Sequence, residues 1–422
     1  MGVCLKVNLK YGGSQRHLFI PEEAGVSVLS PSTSAVLEDL EEAFEEAMDS
    51  PLRGPRLETM DEPKSVAIAV PDETRPTPVK TLLPLLLKRL YKSFPNLRPE
   101  RITILIASGL HPPLDEQGIR RVVPDSVAPG CKVVCHDAVY SPMTDCGMTS
   151  LKTPVLINED LARADLRLVI GNIDPHQFVG FTGGGKGAVI GCGSKRTIEA
   201  NHSLMFHEKA SVASIEGNPV RSDIDEAGGL VGIPLVINVV LNASNRVVKL
   251  LAGEPVAVFQ EGAKTCAAVY GVAIQEKFDI AVASCGGYPK DINLYQAQKG
   301  LAHAAQAVKP GGKILLMAAC PQGVGSEVYY EYVLRFPTPE AALEGFRRTG
   351  FKMGAHKAFL FGKTLVSFEV AIASDIQPEI LSKCHLKACD PQETIEKWVG
   401  NFSGIPTVAV IPNASTTYFY TE

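Results

Sequence analysis

Ser65–Lys92 reads SVAIAVPDETRPTPVKTLLPLLLKRLYK. A short apolar run of strand length gives way to a proline-rich polar turn, and Val79–Lys92 then repeats its leucines at helical spacing. The same strand–loop–helix order returns at Arg101–Ala107, followed by SGLHPP, and at Leu166–Gly171, followed by NIDPHQF and a glycine run. A second set starts near Phe278: Asp279–Ser284 as a strand, CGGYPKD as its loop, Ile292–Val308 as a long helix and Lys313–Ala318 as the next strand. Leu365–Ala371 and Thr407–Ile411 read as further strands. Strands that alternate with helices specify βαβ units. The predicted fold class is therefore α/β, with two domains, each a mostly parallel sheet flanked by helices.

The boundary is placed near Ile274. Residues 1–274 are expected to form an N-terminal cofactor-binding domain, and residues 275–422 a C-terminal domain that contributes substrate-binding residues. Val256–Val269 reads as a helix carrying the chain between them, and Leu235–Leu241 as a buried strand. Val3–Asn8 and His17–Ile20 read as a hairpin around Tyr11-Gly12-Gly13, and Thr33–Ala47 as an acidic amphipathic helix.

Composition narrows the function. The chain is 45% hydrophobic and 21% charged with a formal charge of −5, so it carries no electrostatic footprint for nucleic acid or an anionic membrane. No apolar run reaches membrane-span length, and MGVCLKVNL is not a signal peptide. The ten cysteines form no CxxC pair, which suits thiols buried in a reducing cytoplasm. A cytoplasmic enzyme of small molecules is the expectation.

In a parallel α/β sheet, ligands bind beyond the carboxyl ends of the strands. Four loops at such ends hold the unusual residues: Asp72 and Arg75; His111; His176 through Lys186; and Tyr288 through Lys299. Three lie in the first domain and one in the second, so the site is expected in the cleft between domains.

Asp174–His202, DPHQFVGFTGGGKGAVIGCGSKRTIEANH, is the most chemical of these segments. Gly183, Gly184 and Gly185 let backbone approach a ligand closely. Lys186 after them is either a phosphate clamp or a cofactor attachment point. Gly180, Gly185 and Lys186 nearly spell a P-loop, but Gly187 stands where a hydroxyl residue should hold magnesium, and Gly187–Gly191 reads as extended rather than helical. A nucleotide- or anion-binding protein without redox chemistry is the alternative this near match supports. Ser194 is a suitable N-cap for a helix to about Met205, whose third turn carries His202 as either a packed or a metal-binding imidazole. Arg75, stiffened by prolines, suits a carboxylate or pairs with Asp72. Gln296 and Lys299 share a helix face that serves either a substrate or solvent. His136 reads as a loop anchor, and His303 carries no assigned role.

DETRPTP (Asp72–Pro78), SGLHPP (Ser108–Pro113), DPHQFVGFTGGGKGAVIG (Asp174–Gly191), His202 and GGYPKDINLYQAQKG (Gly286–Gly300) together resemble the nickel-dependent lactate racemase family, in family order and across most of the chain. The resemblance implies a nickel pincer nucleotide (Ni-bound pyridinium-3-thioamide-5-thiocarboxylic acid mononucleotide) attached at Lys186. It implies Gly183, Gly184, Gly185 and Asp72 around that cofactor, and His202 as the protein's metal ligand. His111 and His176 match an acid/base pair, and Arg75, Tyr295, Gln296 and Lys299 match the substrate-binding residues. It further implies transient partnership with cofactor-maturation enzymes.

The implied reaction is inversion at C2 of a 2-hydroxy acid. Removing the α-proton beside an ionised carboxylate is hard, whereas hydride transfer avoids the carbanion, and inversion wants a base on each side. Lactate racemases usually carry Thr-His-Arg-Pro where this chain has Leu110-His111-Pro112-Pro113, and the one tryptophan, Trp398, lies far along the second domain. A larger or more polar acid, such as a sugar acid, is thus as compatible as lactate.

Overall fold

The computed structural model describes residues 4–31, 34–127 and 129–421. Taken over those residues, the chain divides into two compact units, Thr33–Val269 and Met1–Ser32 together with Tyr270–Glu422.

The Thr33–Val269 unit is built on a six-stranded sheet. Its order is Val247–Gly253, Leu235–Leu241, Leu166–Ile173, Val66–Pro71, Ile102–Ala107, Lys132–Cys135. All neighbours run parallel except the Val247–Gly253 edge, which pairs antiparallel with Leu235–Leu241. The central strands are covered on both faces, so they read as continuous apolar runs rather than alternating ones, as in Leu235–Leu241 where every residue is buried. Helix Val79–Ser93 packs Leu82, Leu83, Leu86 and Leu90 on Ile68, Ile104 and Ile237 of one face. The acidic helix is shorter than expected. It spans Leu40–Asp49 and is capped by Asp39, whose carboxylate accepts from the amides of Glu41 and Glu42, while Thr33 lies outside the described residues.

The other unit holds an all-parallel sheet in the order Lys387–Ala388, Glu369–Ala373, Val308–Met317, Phe278–Ser284, Thr407–Ile411, Gly25–Val28. The sequence reading gave residues 1–274 to one domain, and the fold differs here. The boundary falls at 269/270, and the amino-terminal strands belong to the carboxyl-terminal unit. The hairpin Leu5–Tyr11/Ser14–Ile20 turns its alternate residues Val7, Leu9, Leu18 and Ile20 onto Ile280, Val282, Leu315 and Met317. A two-stranded hairpin is marginal alone and needs such a surface, and Gly25–Val28 covers what would otherwise be an open sheet edge.

Leu365–Ala371 was expected as a strand. Its first residue instead closes the helix His356–Leu365, and the strand is Glu369–Ala373. Apolar runs this short do not separate the end of a buried helix from a strand. No helix of the described residues is long and apolar enough to cross a membrane.

Candidate active site

Three neighbouring parallel strands of the Thr33–Val269 unit end at the expected loops. Val66–Pro71 leads into Asp72 and Arg75, Ile102–Ala107 into His111, and Leu166–Ile173 into His176. Val66–Pro71 lies between the other two. The histidine loops therefore leave the sheet two strand spacings apart, about 10 Å, enough to flank a small acid.

Asp72 is buried and organises its loop. Oδ1 accepts from the Thr74 amide at 3.1 Å and the Thr74 hydroxyl at 2.5 Å, and Oδ2 lies 2.7 Å from His111 Nδ1. Burial pushes the carboxyl pKa up, but the bonds from His111 and Thr74 and the charges of His111 and Arg75 outweigh it and hold it below the usual aspartate value. An ionised carboxylate only accepts, so His111 Nδ1 carries a hydrogen, and in the neutral form of the ring Nε2 presents its lone pair. Arg75 joins the same loop, its amide donating to the Asp72 carbonyl at 3.2 Å.

A depressed carboxylate pKa has a definite sign. Its stabilisation is complete above the unfolded value near 4 and disappears as pH falls through the folded value. Unfolding titrations of the wild type and Asp72→Asn should differ at neutral pH and converge below about pH 4. The variant should also lose on the order of 10-fold or more in turnover through misoriented His111. A parallel pair of stability curves with equal turnover would remove Asp72 from this role.

The glycine loop is held from several sides. Gly183 sits at φ +94°, and a β-carbon there would stand 2.4 Å from Ile173 Cγ1 and 2.9 Å from Asn238 Oδ1. The Gly184 amide donates to Asn238 Oδ1 at 2.7 Å. Arg221, fully buried, donates to the Gly183 carbonyl at 3.2 Å, lies 4.0 Å from the Phe259 ring centroid and pairs with Asp225. Gly183→Ala should cost about 1–3 kcal/mol through left-handed backbone strain and collision. A thermal melt reads this, and an unchanged Tm would show the loop to be looser than drawn.

Gly187–Gly191, expected as extended chain, is not. Lys186–Val189 makes one helical turn, with Val189 and Ile190 amides donating to the Gly185 and Lys186 carbonyls at 3.0 and 2.9 Å. The glycines there serve close packing: a β-carbon on Gly187 would lie 2.6 Å from Val169 Cγ1. Lys186, half-buried, opens this turn.

His176 and His202 flank one aromatic ring. Phe178 meets both edge-on, at centroid distances of 4.7 and 5.0 Å. The Val179 amide donates to His176 Nδ1 at 3.3 Å. That nitrogen therefore accepts, and the ring's hydrogen sits on Nε2, the reverse of His111. His202 is buried on the capped helix Lys195–Ser203, with Ser194 accepting from the Thr197 amide as expected. Burial, and then the Lys186 charge, push its pKa down to about 3, so it is neutral. Its Nδ1 lies 3.0 Å from Asn201 Oδ1. His136 is the anchor it was read to be: Nε2 bonds the Gly193 carbonyl at 3.0 Å beside that helix start.

Tyr295, Gln296 and Lys299 lie on helix Leu294–Ala304 of the other unit, all half-buried, with Asn293 as the cap. Beside them stands Lys357, which sequence reasoning missed. It is 3% exposed, donates to Gln298 Oε1 at 2.9 Å and lies 4.9 Å from the Tyr295 ring centroid. Burial, then the Lys299 charge, hold its amine well below the ordinary lysine range. His303 is structural, bonding the Ala414 carbonyl at 2.9 Å.

No group of three or more His, Cys, Asp or Glu among the described residues could hold a metal. His202, buried and neutral with Nδ1 set against Asn201 Oδ1, has the chemistry of a single imidazole ligand to a group that carries further ligands of its own.

Comparison with known proteins gives a consistent result. A model described as the lactate racemase N-terminal domain matches residues 11–214, and one described as the lactate racemase C-terminal domain matches residues 273–416. The chain is 30% identical to a lactate racemase of Lactiplantibacillus plantarum over 382 residues, covering 88% of this chain and 89% of that protein. It is 29% identical to a lactate racemase of Thermoanaerobacterium thermosaccharolyticum over 340 residues, 79% of each. The solved structure of the lactate racemase apoprotein from the latter organism matches with a TM-score of 0.89 at 26% identity, covering 99% of this chain and 100% of that one.

Proposed function

The chain belongs to the lactate racemase family, and from that premise we propose that it inverts the C2 centre of a 2-hydroxy acid, lactate or a larger acid such as a sugar acid. The observation that carries this reading is the opposed state of the two imidazoles. His111, bonded through Nδ1 to Asp72, presents a lone pair, and His176, accepting at Nδ1 from Val179, presents an N–H. Inversion needs a proton acceptor at one face of the carbinol carbon and a donor at the other. His111 takes the hydroxyl proton as C2 becomes planar, and the N–H of His176 bonds the oxygen; the proton returned when the opposite face is reduced comes from a histidine in its imidazolium form, which is left neutral. The reverse direction exchanges their roles.

Arg75, Tyr295, Gln296 and Lys299 are assigned to the substrate carboxylate and hydroxyl, which must stay fixed while the carbon changes hand. Lys186 would hold a nickel pincer nucleotide covalently through its amine, His202 Nε2 would ligate the metal, and Gly183–Gly185 would admit the group to the backbone. When bound, that group supplies the acceptor and donor of the C2 hydride. Imidazole and soft sulfur ligands suit Ni(II).

The test uses protein co-expressed with cofactor-making enzymes and confirmed by mass to carry the adduct. Single enantiomers of lactate and of C2-epimeric sugar acids are incubated in D2O. Inversion with protium retained at C2 supports the reading. Deuterium at C2 overturns hydride transfer in favour of proton abstraction, and no inversion across the panel overturns the substrate class.

A further inference from the structure

His202 is the end of a buried chain of hydrogen bonds that the sequence does not announce. Its neighbour Asn201, 0% exposed, turns its amide nitrogen to two acceptors, the Val220 carbonyl at 3.1 Å and Asp223 Oδ2 at 2.8 Å. Asp223, on helix Pro219–Val231 and equally buried, accepts at Oδ1 from the Thr149 hydroxyl at 2.5 Å. Thr149 Oγ1 in turn accepts from the Thr153 amide at 3.1 Å, in the turn of the Met143–Met148/Pro154–Asn158 hairpin.

Every direction in this chain is determined. A carboxylate and a carbonyl can only accept, so both require the NH2 side of Asn201. Flipping the amide would lose two bonds and set oxygen against oxygen in a buried place. Asn201 Oδ1 is left facing His202, 3.0 Å from Nδ1. An oxygen acceptor there selects the tautomer with hydrogen on Nδ1.

We propose that Asn201, Asp223 and Thr149 are positioning residues for the metal site: a hydrogen-bond relay that fixes the His202 tautomer and ring orientation so that Nε2 serves as the ligand. This rests on the reading of His202 as the metal ligand given above. Groups that hold the far nitrogen of a ligating histidine typically contribute 10- to 100-fold to metal affinity.

Two measurements test it, one without cofactor. In apo protein labelled with 15N-histidine, two-bond 15N–1H correlations report which His202 nitrogen is protonated. Wild type should show Nδ1–H. Asp223→Asn, which lets the Asn201 amide turn, and Asn201→Ala should each shift His202 towards Nε2–H or a mixture. In protein carrying the Lys186 adduct, release of nickel to a chelator should quicken about 10- to 100-fold in the same variants. Ile198→Val, on the same helix and buried, is the control for mere loosening and should change neither readout.

An unaltered tautomer in both relay variants overturns the relay. A changed tautomer with unchanged nickel release overturns its bearing on the metal. Nickel release unaffected by His202→Ala would instead retire His202 as ligand, a result separate from the tautomer measurement. Should Asn201→Ala fail to fold, Asp223→Asn, which is isosteric, carries both readouts.

Discussion

Lys186→Ala should yield a folded protein that carries no covalent adduct, retains no nickel through purification and racemises nothing above background. The residue opens a single helical turn directly after a glycine loop that Asn238 and Arg221 hold in place. Removing its amine leaves that scaffold intact, so the melting temperature should hardly move. Loss of one charge near buried His202 is, if anything, relieving, because the lysine is one of the two causes of that imidazole's depressed pKa. Lys186→Arg is the sharper variant. It keeps the positive charge and the approximate reach, but a guanidinium is not a nucleophile at neutral pH. A non-covalent phosphate clamp would tolerate arginine; a covalent tether would not. Intact mass, nickel content and a racemisation assay on the three proteins decide it, and activity in either variant would sink the tethering assignment.

His111→Ala and His176→Ala should each cost about 10²- to 10⁴-fold in turnover, the usual worth of a positioned acid or base. Both should keep the adduct and nickel. The equilibrium constant between enantiomers is unity, so in a true racemase kcat/KM must fall equally in both directions for either variant. An epimerase acting on diastereomers obeys the same constraint, because a substitution in the enzyme cannot change the equilibrium constant; only the ratio of the two values then differs from one. His176→Ala carries an extra risk that the geometry makes visible: Phe178 touches both His176 and His202, and a void beside it can let the ring tilt. Nickel lost from His176→Ala but kept in His176→Gln would trace the effect to that ring rather than to ligation. Nickel lost from both would mean that a ligand was mistaken for a base.

What the chain discloses before folding is the local part. The parallel strands Val66–Pro71, Ile102–Ala107 and Leu166–Ile173 announce themselves as apolar runs before polar loops, and the Ser194 cap is written in the residues that form it. Loops at strand ends then set Asp72, His111 and His176 at one end of the same sheet without further information. The partners that give those residues their chemical state lie far away in sequence. His111 meets Asp72 across 39 positions, Asn201 meets Asp223 across 22, and Lys357 meets Gln298 across 59. No periodicity encodes such pairings. The same limit explains why the amino-terminal strands were read into the first domain. A hairpin and a short strand near the start look self-contained, and only the fold shows that their apolar face belongs to strands beyond residue 270.

That arrangement has a consequence in time. The Thr33–Val269 sheet is complete once its own strands have been made, but Gly25–Val28 pairs with Thr407–Ile411, made almost last. At the usual pace of synthesis of about 5–20 residues per second, the Gly25–Val28 strand waits roughly 20–80 s for its partner, and the hairpin before it somewhat less for the strands it packs on. During that interval an apolar, unpaired edge is attached to a domain that has already folded. The period of greatest exposure to chaperones, or to aggregation, therefore falls on the oldest segment of the nascent chain rather than on the newest.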